Sequence, residues 1–203
     1  TNISYSSFQR GYPMFYKIYQ STILMAILAI AGNASAEILG SPHDLQGTNN
    51  SDGGQTCIYC HTPHNASAFA PLWSRQTPAG PYTMYASPTL DMTIAGSPQD
   101  TSLACLSCHD GTLALDAVVG LTSGGGFITG GNNLGTDLSN DHPISVTYDS
   151  TADTAFNAAA AGKVGGLQLF GTGANQVECA TCHSVHDEGP ANVSALLWID
   201  NAG

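Results

Sequence analysis

The chain has 203 residues, a formal net charge of −11 and a charged share of only 9%. Four Lys and Arg against fifteen Asp and Glu exclude the basic surface that nucleic acid or an anionic membrane would need. Ordinary soluble domains are about 25% charged, whereas here Gly, Ser, Thr, Asn and Ala supply the polar positions, as in a loop-rich exported protein or in a surface covered by copies of itself.

Residues 1–36 read as a leader and export signal. Met14 is a plausible start, Arg10 and Lys17 give a positive n-region, residues 23–31 are apolar, and Ala34-Ser35-Ala36 is an A-x-A cleavage site. The apolar run falls short of the about 20 residues that cross a bilayer. On this reading residues 1–13 are upstream translation, the mature protein starts at Glu37, and it has no membrane span. Residues 37–203 then hold two basic and fifteen acidic residues, a net charge of −13.

After a polar first segment carrying His43 comes Cys57-Ile58-Tyr59-Cys60-His61, a C-x-x-C-H pentapeptide. It continues as Thr62-Pro63-His64 and is followed by the aromatic anchor Leu72-Trp73. Residues 71–98 are rich in Pro, Tyr and Ser, lack any helical or strand period, and predict an ordered loop. A second pentapeptide, Cys105-Leu106-Ser107-Cys108-His109, lies in the best helical pattern, residues 102–119. Gly111 interrupts that pattern, so two short helices fit it as well. The Gly/Asn stretch 124–135 lacks the Lys and Ser or Thr of a phosphate loop and is read as a plain loop. His142 leads a short alternating strand and is fixed by Pro143. Residues 155–161 predict a short Ala-rich helix closed by Gly162. The third pentapeptide, Cys179-Ala180-Thr181-Cys182-His183, continues to His186 and to a second anchor, Leu197-Trp198.

All six cysteines fall into these pairs, and each pair is followed by His. C-x-x-C-H is the attachment site of haem c: the thiols add to two vinyl groups, and the next histidine is carried under the ring to ligate iron. A redox dithiol or half a zinc ribbon competes for any single pair. Three pairs do not divide into zinc ribbons, and neither alternative needs His after every pair. Three covalent haems c are therefore expected, on Cys57 and Cys60, Cys105 and Cys108, and Cys179 and Cys182, with His61, His109 and His183 as proximal ligands. Porphyrins then supply much of the core. The expected fold is mostly irregular coil with a few short α-helices and minimal β, forming one haem-cored domain over residues 37–203.

His43, His64, His142 and His186 remain for the distal positions. His64 and His186 lie on the same side of the ring as their own motif histidine. Each is assigned either to a haem packed alongside or to a hydrogen bond with a propionate. Met84 and Met92 are weaker candidates, since Met more often fills gaps. Trp73, Tyr82 and Tyr85 are expected to pack against porphyrin. Three six-coordinate irons need three distal ligands, which leaves one histidine in surplus. It serves a neighbouring subunit's haem, serves a fourth haem if the chain continues, or is no ligand. Filled axial positions predict an electron carrier rather than an enzyme.

The runs HDL at His43, CIYCHTPHNA with PLW (57–73), YTMYASPTLD (82–91), ACLSCHDGTLALDA (104–117), GTDLSNDHPISVTYD (135–149) and VECATCHSVHD (177–187) resemble multihaem c-type cytochromes of the cytochrome c3/doubled-CxxCH family, including extracellular filament-forming members. The likeness covers nearly all of residues 37–203. It implies low-potential bis-histidine haems, a homo-oligomer or homopolymeric filament, an extracellular or cell-surface location, and redox partner proteins or extracellular acceptors. Relatives commonly place a fourth CxxCH after a segment like residues 196–203. A soluble periplasmic shuttle is the nearest alternative. A small-oxyanion reductase is more distant: it needs an open iron and a cationic pocket, whereas Arg75 and Lys163 are the only basic residues after residue 36.

Overall fold

The computed structural model describes residues 38–67, 70–78, 80–119, 121, 124–186 and 197–198. The chain divides into the units Thr1–Ala36 and Glu37–Gly203, and the leader assigned to residues 1–36 lies outside the described residues. Regular structure among the described residues is brief. It comprises helices α1 (Asp100–His109) and α2 (Cys179–Cys182), 3-10 turns at Cys57–Tyr59 and Gly130–Asn132, and five two-residue strands. These strands are β1 (Thr93–Ile94), β2 (Val146–Thr147), β3 (Lys163–Val164), β4 (Leu167–Gln168) and β5 (Gln176–Val177).

An antiparallel sheet runs β1-β2-β5, pairing Ile94 with Val146 and Val146 with Val177, while β3 and β4 form a separate hairpin. β5 delivers the chain directly into α2, so the sheet positions the third pentapeptide. None of the described helices is long and apolar enough to cross a membrane.

α1 is shorter than the pattern over residues 102–119 suggests. Gly111 adopts φ +69°, a left-handed conformation that suits a residue without Cβ and stops the helix just after the second pentapeptide. Beyond it the backbone donors are taken by other loops: Leu115 N–H donates to Gly126 O at 2.9 Å and Val119 N–H to Ser74 O at 3.1 Å. The Ala-rich stretch 155–161 is not helical. Asp153 Oδ1 accepts the Ala155 N–H at 2.8 Å, and Ala160 instead bridges to Lys163. So short and exposed a run is well below the about 12–15 residues at which a helix sustains itself without packing.

Leu106, Leu138 and Ile144 form a small buried cluster, with Tyr82, Met84 and Cys179 packed against it. The rest of the interior is polar and cross-linked. Asp116 is fully buried and its Oδ2 accepts from Asn49 Nδ2 at 2.6 Å, Gly124 N at 2.9 Å and Gly125 N at 2.7 Å, which fastens three loops together. Glu178 Oε2 accepts from the Ser102 hydroxyl of α1 and, at 2.9 Å, from the Ser145 hydroxyl beside β2. Tyr59, inside the first pentapeptide, donates its hydroxyl to Asp52 Oδ2 at 2.7 Å and accepts the Asn49 N–H at 2.9 Å.

Removing that hydroxyl leaves Asp52 and the Asn49 N–H short of a partner in a buried setting. Tyr59→Phe is expected to lower unfolding free energy by about 1–3 kcal/mol, read from the midpoint of denaturant unfolding. A midpoint equal to the parent's would mean that water replaces the hydroxyl at no cost.

Candidate functional site

Each pentapeptide is wound into a single helical turn. His61 N–H donates to Cys57 O at 2.8 Å and His183 N–H to Cys179 O at 2.9 Å, while the second pentapeptide occupies the last turn of α1. A helical turn stacks positions i, i+3 and i+4 on one face, so both thiols and the imidazole of each motif share a side. The turn beginning at Cys179 carries a capping box in which the Glu178 and Thr181 side chains bond each other's backbone N–H.

Backbone carbonyls fix two of the motif imidazoles. His61 Nδ1 donates to Pro71 O and His109 Nδ1 to Asn132 O, each at 2.8 Å. A carbonyl only accepts, so Nδ1 carries the proton and Nε2 keeps its lone pair for a metal. Trp73 stands edge-on to His61, with ring centroids 5.9 Å apart.

The rings then fall into pairs. His61 lies 5.9 Å from His186 between centroids, His109 lies 6.1 Å from His43, and His183 lies 6.3 Å from His142. Ordinary ring packing spans such distances. The composition of the pairs separates them from ordinary packing, because each contains one CxxCH histidine and one histidine from elsewhere in the chain. An imidazole nitrogen lies about 2.0–2.1 Å from its metal and about 1.2 Å from its own ring centroid, so two trans imidazoles on one metal hold their centroids roughly 6.4 Å apart. The three observed separations, 5.9–6.3 Å, are close to that value. Burial, and after it the neighbouring His109 and His186, hold the His43 pKa below the ordinary imidazole value. The ring therefore sheds its proton at lower pH and is kept in the neutral form that ligates metal.

His64, by contrast, is exposed and forms no ring pair with a described residue. Its backbone is held by Thr62, whose hydroxyl donates to His64 O at 2.8 Å. Of the two histidines placed three residues after a motif, only His186 is brought to another pentapeptide's imidazole. Met84 packs against the apolar cluster, the gap-filling role. Tyr82 is tied through its hydroxyl to Asp110 Oδ2 at 2.6 Å.

Neighbouring pentapeptides touch. A hydrogen bond between the Cys105 and Cys179 thiols, and after it burial, holds Cys105 well above the ordinary thiol pKa, while the same bond pulls Cys179 below it against the opposing effect of burial. Burial pushes the Cys60 thiol up to about 11, with the Cys108 thiol adding to the shift and the Arg75 guanidinium opposing it. The second pentapeptide thus neighbours both the first and the third. All six thiols are free, and among the described residues no three His, Cys, Asp or Glu side chains converge as a bare-ion site.

The two C-x-x-C-H-x-x-H segments repeat in space with a shift that the sequence conceals. His61 bridges to Trp73 and His183 to Leu197, and the carbonyl of the second cysteine accepts from Ser74 N–H in one copy and from Trp198 N–H in the other, both at 2.9 Å. Trp73 therefore corresponds to Leu197, and Trp198 sits one position further on. A one-residue slip in extended backbone turns the side chain to the other face. Trp198 is accordingly 45% exposed and donates Nε1–H to Ala180 O at 3.1 Å.

Arg75 is buried with its donors on backbone carbonyls, and Lys163 is exposed on β3, so these residues do not make a cationic pocket. Comparison with protein-family models found no match, and comparison with curated proteins found none either.

Proposed function

We propose that this chain is an exported electron-transfer protein bearing three haems c, each with its iron between two imidazoles. The observation that carries the reading is the set of three ring pairs, each joining one CxxCH histidine to one other histidine with centroids 5.9–6.3 Å apart. When bound, haem supplies a one-electron change at iron with no change of ligand. The ligand sets are His61 with His186, His109 with His43, and His183 with His142. Cys57 and Cys60, Cys105 and Cys108, and Cys179 and Cys182 anchor the three groups, whose attachment points lie side by side.

The chain's own residues do the positioning. Pro71 O and Asn132 O hold the proximal rings of the first two sites in the tautomer that leaves Nε2 free. Glu178, Ser102 and Ser145 lock the third site onto α1 and β2. Each iron, if held by both imidazoles of its pair, would have no coordination site left for a substrate, which favours a carrier over a small-oxyanion reductase. Within carriers, the exposed His64 favours an extracellular assembled filament over a periplasmic shuttle, because a fourth distal-type histidine remains for a haem outside the described residues.

Two measurements test this. The purified full chain is expected to have an intact mass exceeding that of its polypeptide by three haems, and its ferrous spectrum is expected not to respond to carbon monoxide. Haem that washes out in acidified organic solvent, or a ferrous spectrum that shifts with carbon monoxide, contradicts the reading. In the haem-loaded protein, His186→Ala, His43→Ala and His142→Ala are each expected to remove about one third of the low-spin ferric EPR intensity, each from a different haem. His64→Ala in the isolated chain is expected to remove none, and the opposite outcome for any of these four variants overturns the pairing.

A further inference from the structure

Among the described residues, the interior holds one cation without a carboxylate partner. Arg75 is 1% exposed. Its Nη2 donates to Ser107 O and Ala114 O, each at 2.8 Å, its Nη1 to Leu115 O at 2.6 Å, and its Nε to Ser107 Oγ at 3.1 Å. Carbonyl dipoles satisfy these hydrogens but carry no net charge, so the guanidinium keeps its unit positive charge inside the fold with no carboxylate bonded to it. The buried carboxylates nearby are engaged elsewhere, Asp110 with Tyr82 and Thr112 and Asp116 with Asn49, Gly124 and Gly125.

The position of this charge is fixed from two sides. Ser74, next in the chain, donates its N–H to Cys60 O at 2.9 Å, tying the Arg75 backbone to the first pentapeptide. The guanidinium ends on Ser107, between the two cysteines of the second. At the second site the buried Asp110 carboxylate follows His109 and opposes the guanidinium, whereas at the third the buried Glu178 carboxyl has no buried cation beside it among the described residues, and Lys163 on its exposed hairpin is screened by solvent.

We propose that Arg75 is an electrostatic positioning residue that holds up the reduction potentials of the haems at the first and second pentapeptides and leaves the third nearly untouched. The inference rests on the three-haem reading above. A ferric haem carries one more positive charge than its ferrous form, so a fixed buried cation disfavours oxidation of the two haems beside it. The long guanidinium fork also holds the first pentapeptide against α1, so charge and packing have to be separated by experiment.

The test is a potentiometric titration of the purified haem-loaded full chain, reduced by dithionite through mediators, with the three haems resolved by their paramagnetic NMR signals. In Arg75→Gln, the ferrous-to-ferric ratio of the first two haems at a fixed potential is expected to fall roughly tenfold, the scale of one unit charge acting through an effective dielectric of about 20, while the third stays at its parent value. Arg75→Lys, which keeps the charge and loses the fork, is expected to load three haems and to titrate like the parent. Equal ratios in Arg75→Gln and the parent, or an equal fall at all three haems, overturn the proposal. If Arg75→Gln does not load three haems, Arg75→Lys decides: parent-like titration supports the charge role, and failure to load, or a lowered ratio, assigns Arg75 to packing. A parent protein without covalent haem would defeat the electron-transfer reading itself, and it is recognised beforehand from the intact mass.

Discussion

The constraint on which the rest depends is the distance between two imidazoles. One histidine of each pair is supplied locally, by a helical turn that puts two cysteines and a histidine on one face. The other arrives from a remote part of the chain: His186 for the first site, His43 for the second and His142 for the third. Much of the fold is explicable as the means of bringing these six rings to three places and holding them there.

The chain does this with little regular secondary structure and a small apolar cluster. Buried polar side chains stand in for a large core, and three of them cross between segments. Asp116 joins the loops at Asn49 and Gly124–Gly125, Glu178 joins the third site to α1 and β2, and Arg75 joins the backbone beside the first site to the end of α1. Buried groups of this kind are stabilising only while every partner is present, so they specify one arrangement of the loops more sharply than apolar contacts of the same area would. Three porphyrins lodged between the paired rings would add the apolar surface that the polypeptide itself lacks.

Some of this was legible in the sequence, and the parts that were not have physical reasons. The pentapeptides and the break at Gly111 follow from local spacing and from the conformational range of glycine. Which of the other histidines meets which motif does not, because the pairing joins residues far apart in the chain and no short-range pattern encodes it. The Ala-rich stretch 155–161 misled because propensity is a weak force in a short, exposed run. Leu197-Trp198 suggested an anchor equivalent to Leu72-Trp73, but the two insertions differ in length, so equivalent backbone positions carry different residues. Arg75 was visible as one of few basic residues, yet its burial depends on carbonyls offered by residues 107, 114 and 115, a loop geometry that no motif announces.

The proposed arrangement puts three irons on one chain, each held by two histidines. Near-infrared magnetic circular dichroism of the fully oxidised protein measures this directly, because its charge-transfer band identifies the axial ligand pair. The account predicts a single bis-imidazole band whose intensity corresponds to three haems per chain. A histidine–methionine band, a high-spin component, or an intensity corresponding to fewer than three would contradict it.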